Sequence, residues 1–262
     1  MPPTALLPLA VTRPQAAGAA LADALCAASV DARWVPAFDL LGPADPAAAR
    51  RALAQLADAD LAVFVSPAAV EHTAALLPGP WPVTTAIGAV GGATARAVRT
   101  RLALPAGVAL VAPEGAADDV ASGSEALAQA LAASGRMPRR VLILRAAGGR
   151  DWLAEHLAAG GAQVDAVAVY RRQPHACTPA EADWLERRAA AGPLAALVTS
   201  SEAVAVAQAA WPARAWQALL RGRALATHPR IAAHLSAAGV QDVRTSTLDV
   251  ADIRPLLQLP AP

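Results

Sequence analysis

Short apolar runs alternate with amphipathic, alanine-rich stretches along almost the whole chain. Near-continuous apolar runs mark strands covered on both faces, and apolar positions at helical spacing between them mark the covering helices. The runs predict strands over residues 7–12, 61–65, 84–87, 108–111, 141–144, 164–170, 194–199, 223–226 and 240–243. Helical patterns fall between them, as at 46–58, 124–133, 150–159 and 179–191, several with acidic residues early and a glycine near the end. Strand and helix in alternation is the signature of an α/β fold with parallel sheets flanked by helices. The strands are too many for one ordinary open sheet, so two sheets are expected.

A weak internal repeat divides them. LAVFVSPAAV at 61–70 resembles ALVTSSEAV at 196–204, with Ser66 falling on Ser200, and AGV at 106–108 recurs at 238–240. The copies are not in tandem. The pattern predicts two similar α/β domains, one inserted in the other: a discontinuous one from 1–36 and 175–262, and an inserted one from 42–165. Two extended segments would join them, 35–41 (VPAFDLL) and 166–174 (beginning AVAVYRRQ), both rich in β-branched or aromatic residues. Two crossings side by side predict a hinge with a cleft between the domains.

Composition narrows the chemistry. Of the 262 residues, 55% are hydrophobic but only 3% aromatic, so the mean hydropathy of +0.36 reflects alanine more than bulky apolar side chains. A net charge of +1 lacks the dense positive field that phosphate-backbone binding requires, and nucleic acid is not an expected partner. All 22 basic residues are arginine, which excludes Schiff-base lysine catalysis and a Walker-type phosphate lysine. Cys26 and Cys177 stand in no metal or disulfide spacing, and the histidines His72, His156, His175 and His234 form no ligand set; no metal is expected. The beginning of the chain has no basic segment before its proline-broken apolar run, and the charge-free stretch 72–95 is full of proline and glycine. Neither reads as an export signal or a membrane span, and a cytoplasmic protein is expected.

Several segments together resemble the uroporphyrinogen-III synthase family: VTRP at 11–14, FVSPAAV at 64–70, VGGATARAV at 90–98, SEALAQAL at 124–131, VLILRAAGGRDWLAEHLAAGGAQVDAVAVYRR at 141–172 and VTSSEAV at 198–204. No one of them is specific alone; their order and spacing are. The resemblance implies two α/β domains joined by two strands, a cofactor-free lyase, and the substrate hydroxymethylbilane, a linear tetrapyrrole with carboxylate side chains. In that reaction the terminal hydroxyl leaves, and the pyrrole at the other end attacks through a spiro intermediate that inverts its ring. Unguided closure yields the uninverted isomer, so the enzyme chiefly steers. Positioning can supply about 7–11 kcal/mol, with a smaller part from a proton donor. A monomer is expected, with transient contact to the preceding pathway enzyme.

The resemblance makes Tyr170, the only tyrosine, the candidate general acid; a phenol with its usual pKa of about 10 stays protonated at neutral pH. The plain alternative is a hinge-packing residue whose hydroxyl finds a partner. For carboxylate binding the candidates are Gly92, Ala93 and Thr94 at a strand-to-helix turn, Ser66 and the pair Ser200 and Ser201 at equivalent turns, and Arg13, Arg145 and Gly149 with Arg150 at strand ends. Each has a plainer role as helix cap, turn or solvated arginine. Ser122 and Ser124 read as caps for a helix carrying Glu125. GAVGGA at 88–93 lacks the spacing of a dinucleotide loop. At His228 and Arg230 the chain departs from the family, in which many members carry a glycine and a threonine; Ile231 offers no hydroxyl there, and His228 or Arg230 would substitute. Glu202 stands where asparagine is common. The competing reading is a non-catalytic hinged two-domain small-molecule binding protein; a nucleotide-dependent enzyme lacks its phosphate loop.

Overall fold

The computed structural model describes residues 6–113, 123–135, 137–149 and 151–259. The chain forms two compact units, one up to Asp39 and from Gln173 onward, the other Leu40–Arg172. The chain passes between them twice, within β3 (Phe38–Leu41) and β8 (Gln163–Pro174).

The continuous unit is built on β4 (Leu61–Phe64), β5 (Ala86–Ala89), β6 (Leu110–Val111), β7 (Arg140–Ala146) and β8, in the order β3-β8-β7-β4-β5-β6. From β8 to β6 every pairing is parallel. Strand residues alternate between two cores: Ala62, Phe64, Leu142 and Leu144 face one, Leu61, Val63, Val141 and Ile143 the other. Burial on both faces is why these strands read as unbroken apolar runs.

The discontinuous unit carries β1 (Leu9–Val11), β2 (Ala32–Trp34), β9 (Ala195–Val198), β10 (Arg223–Ala226) and β11 (Asp242–Thr245), all parallel, in the order β11-β10-β9-β1-β2. Position for position this is β6-β5-β4-β7-β8 of the other unit. The two sheets therefore share one strand order, entered at a different strand. The repeat seen in the sequence falls on equivalent places: Gly107 (φ +90°) and Gly239 (φ +96°) make the left-handed turns ahead of β6 and β11.

Three local differences from the sequence reading have physical causes. The strand expected at 84–87 lies at 86–89, because Thr85 is spent on a turn: its N–H donates to the Pro82 carbonyl, its hydroxyl to Leu56, and its carbonyl accepts from the Trp81 indole. Gly88 then fits a central strand because a Cβ there would press on Val63 and Leu127. The strand expected at 240–243 lies at 242–245, since Val240 closes the preceding helix by donating to Leu235. There Asp242 pairs with Arg223 and Arg244 on an edge strand, where charge deters further pairing. Strand β2 escapes the apolar pattern, because Asp31 and Arg33 mask a short edge strand.

Helices follow the strands: α1 (Gln15–Ala27), α2 (Pro46–Leu53) with a 3-10 turn at Leu56–Asp58, α3 (Pro67–Leu76), α4 (Gly92–Arg101), α5 (Ser124–Ala133), α6 (Trp152–Ala159), α7 (Pro179–Ala191), α8 (Ser201–Ala210), α9 (Ala213–Leu220), α10 (Pro229–Ala237) and α11 (Val250–Leu256). The single helix expected at 46–58 is thus α2 plus the 3-10 turn. Among the described residues no helix is long and apolar enough to cross a membrane.

Candidate active site

In the continuous unit β4 and β7 lie side by side, but the chain leaves them in opposite directions, β4 toward β5 and β7 toward β8. The crevice beyond the carboxyl ends of such a strand pair is the usual ligand position in an open α/β sheet. A cavity of about 360 Å³ opens there, lined by Ser66, Ser124, Arg145, Gly149, Tyr170 and Arg172 among others. Of the residues expected from the sequence, Ser66, Arg145, Gly149 and Tyr170 therefore meet in one place.

Each is positioned by its element. Ser66 lies just beyond β4 and caps α3: its Oγ accepts the Ala69 N–H at 3.1 Å, and Pro67 follows at the position where no amide donor is needed. Tyr170 is 6% exposed on β8, its hydroxyl 3.1 Å from Ser66 Oγ, with either atom able to donate. Its ring lies flat against His72 of α3, with centroids 5.3 Å apart and planes at 8°. A register shift between Arg145 and Ala146 sets Ala146 opposite Tyr170, and Ala147 donates to the Tyr170 carbonyl at 2.8 Å. Gly148 (φ +78°) and Gly149 (φ +112°) then turn the chain away in left-handed conformations. Arg145 is paired with Asp151 at 2.7 Å. Burial lowers the His72 pKa, against the charge of Glu71, so the imidazole on Tyr170 is neutral at neutral pH.

Ser124 corrects the sequence reading. It does not cap α5: Gly123 holds the cap position, the helix start has no side-chain cap bond among the described residues, and Ser124 lines the cavity instead. Ser122 and Arg150 lie outside the described residues. Gly92, Ala93 and Thr94 form the first turn of α4 at the carboxyl end of β5, outside the cavity lining; Thr94 is buried, at 3% exposure.

The other candidates belong to the discontinuous unit. Ser200 caps α8 as Ser66 caps α3, accepting the Ala203 N–H at 3.3 Å. The Ser201 hydroxyl beside it is buried with no hydrogen-bond partner among the described residues. Arg13 follows β1 as Arg145 occupies the end of β7, and its carbonyl accepts the Trp34 indole N–H at 2.8 Å. Gly18 is required there, because a Cβ would stand 1.9 Å from that carbonyl oxygen. His228 caps α10, its Nδ1 accepting the Arg230 N–H at 3.1 Å. His228 and Arg230 are exposed, whereas Ile231 is buried in the core at 5%. The sequence reading missed His72 and Arg172 as neighbours of this site. His72 forms no ligand spacing with the other histidines; its place on the same helix as the Ser66 cap was the available signal.

The model of the family described as Uroporphyrinogen-III synthase HemD matches residues 19–253. The chain belongs to the uroporphyrinogen-III synthase family. Membership places it among the enzymes of haem and porphyrin biosynthesis, acting on a tetrapyrrole. Several solved structures share its fold. A mutant uroporphyrinogen III synthase of the extremely thermophilic bacterium Thermus thermophilus is 20% identical over 93% of this chain and 94% of its own, with a TM-score of 0.55. The uroporphyrinogen-III synthetase of Helicobacter pylori is 13% identical over 92% of this chain and 93% of its own, with a TM-score of 0.57. No curated protein sequence matches this one. Among the described residues no group of three or more His, Cys, Asp or Glu side chains is placed to hold a metal ion.

Proposed function

We propose that the protein is a hydro-lyase that cyclises hydroxymethylbilane to uroporphyrinogen III, with Tyr170 as the proton donor. The observation that carries this reading is the Ser66–Tyr170 hydroxyl pair at the cavity, 3.1 Å apart. The Ser66 oxygen already accepts from Ala69, so its own hydrogen is free to be given to the phenolic oxygen. Tyr170 O–H is then directed to the substrate. As the C–O bond of the terminal hydroxymethyl group breaks, the departing hydroxyl takes the Tyr170 proton and leaves as water. The Ser66 hydrogen bond stabilises the phenolate oxygen that remains. The electron-rich pyrrole at the other end attacks through its substituted α-carbon to give the spiro intermediate. The older C–C bond from that carbon to its methylene bridge breaks, and the released bridge carbon bonds to the ring's free α-position, so that the ring is inverted. The proton lost from that position as the pyrrole regains aromaticity restores Tyr170. Atoms balance with no cofactor.

Ser66, Arg145, Gly149 and Ser124 are the carboxylate anchors this reading assigns to the cavity, joined by Gly92, Ala93 and Thr94 at the start of α4. In the other unit it assigns Arg13, Ser200, Ser201, His228 and Arg230. Cys26 and Cys177 are free thiols, which suits a reducing compartment such as the cytoplasm. A monomer that receives its substrate from the preceding enzyme completes the proposal.

The test generates hydroxymethylbilane in situ with the purified protein present, oxidises the products and separates the porphyrin isomers by chromatography. Protein-dependent excess of the type III isomer is expected. Type I alone, at the spontaneous rate with folded protein, overturns the reading and returns the chain to the class of hinged binding proteins.

A further inference from the structure

Tyr170 is held from two directions. Ser66 meets its hydroxyl, and His72, further along the same helix, covers one face of its ring. Helix α3 is firmly seated on either side of that imidazole: Val70, Thr73 and Leu76 are buried, the first two completely. The backbone that carries the half-buried His72 ring is therefore anchored in the core on both sides. The stack at 8° holds the plane of the phenol nearly parallel to that of the imidazole.

That plane has a chemical consequence. A phenolic O–H lies in the plane of its ring, because its oxygen lone pair conjugates with the ring. Turning the ring about its axis leaves the oxygen in place but swings the direction in which the hydrogen points. The ring torsion of a tyrosine is soft, so only packing sets it. We propose that His72 is a positioning residue for Tyr170: its imidazole fixes the plane of the phenol, and with it the direction of proton donation into the cavity and of the hydrogen bond with Ser66. This rests on the reading of Tyr170 as the proton donor. A neutral aromatic ring is all the role demands, in keeping with the imidazole that burial leaves uncharged.

The experiment compares His72→Phe, which keeps a flat ring, with His72→Leu, which keeps apolar bulk without one, both in the full chain. Because the chain has a single tyrosine, ring-labelled tyrosine gives NMR signals from Tyr170 alone. The expected results are a roughly tenfold fall in kcat for His72→Leu with KM little changed, near-parent kcat for His72→Phe, and altered tyrosine ring signals only in the leucine variant. Equal kcat in the two variants, whether high or low, or parent-like tyrosine signals in the leucine variant, would overturn the proposal. Tyr170→Phe in the same assay separates the two ideas. Full activity in that variant removes Tyr170 as the acid while the NMR comparison still judges the stack. Loss of activity there, with His72→Leu unchanged, removes His72 alone.

Discussion

The hydroxyl of Tyr170 and the Oγ of Ser66 lie 3.1 Å apart, although 104 positions separate them in the chain. Their strands are not neighbours. β7 runs between β8 and β4, and the bond is made across its end, where Arg145 and Ala146 shift register and the chain turns out through Gly148 and Gly149. The bond therefore depends on β7 ending where it does.

Tyr170→Phe should keep the fold and lose about 10- to 100-fold in rate, the size of a modest general-acid contribution. Ser66→Ala should lose the cap of α3, costing about 0.5–2 kcal/mol in stability, and should slow the reaction as well. Because the two hydroxyls act together, the double variant should be little slower than Tyr170→Phe alone. Single-turnover rates and urea unfolding of the four proteins check this; strictly multiplicative losses would show that the two groups act independently.

A second prediction concerns His175, whose Nδ1 lies 2.8 Å from Asp39 and whose Nε2 lies 3.0 Å from Glu181. Burial alone would lower the His175 pKa, but the hydrogen bonds to Glu181 and Asp39, and their charge, outweigh it and raise the pKa above the ordinary 6.5. Burial pushes Glu181 up, yet the bonds from His175 and Thr178 hold it below the ordinary 4.5. Stabilisation from His175 is thus fully present below its unfolded value and lost as pH rises through the raised folded one. That from Glu181 is present above its unfolded value and lost as pH falls through the lowered one. The cluster should therefore contribute most between about pH 4.5 and 6.5. His175→Ala should cost about 1.5–3 kcal/mol near pH 6, the worth of hydrogen bonds to charged groups, and less in alkaline solution. Denaturant unfolding across that range checks it; a loss independent of pH would contradict the assignment.

The two thiols should differ. Burial, helped by the charge of Glu181, pushes Cys177 up to about 11, whereas Cys26 is exposed. The thiolate is the reactive form, so a thiol reagent at neutral pH should modify Cys26 first in the native protein and both residues after unfolding. Peptide mapping of the labelled protein reads the order; preferential native labelling of Cys177 would contradict its raised pKa.

Much of this was legible in the residues themselves. Apolar runs with intervening amphipathic stretches determined parallel strands and covering helices, because burial on both faces leaves no polar position in a central strand. Ser66 and Ser200 announced helix starts, since a hydroxyl ahead of a helix satisfies a free backbone N–H whatever lies around it. The repeat pointed to two units of one strand order, and the lone tyrosine marked the residue on which the proposed chemistry rests. These signals are local, carried by a residue and its near neighbours in sequence. Tertiary structure decided the rest. It made an edge strand of the charged segment at β2, spent Thr85 on a turn, seated Ser124 at the cavity instead of in a cap, and laid His72 on Tyr170. Which side chains meet depends on the crossovers that bring β7 between β4 and β8, and a contact between residues far apart in the chain has no period or local spacing to reveal it.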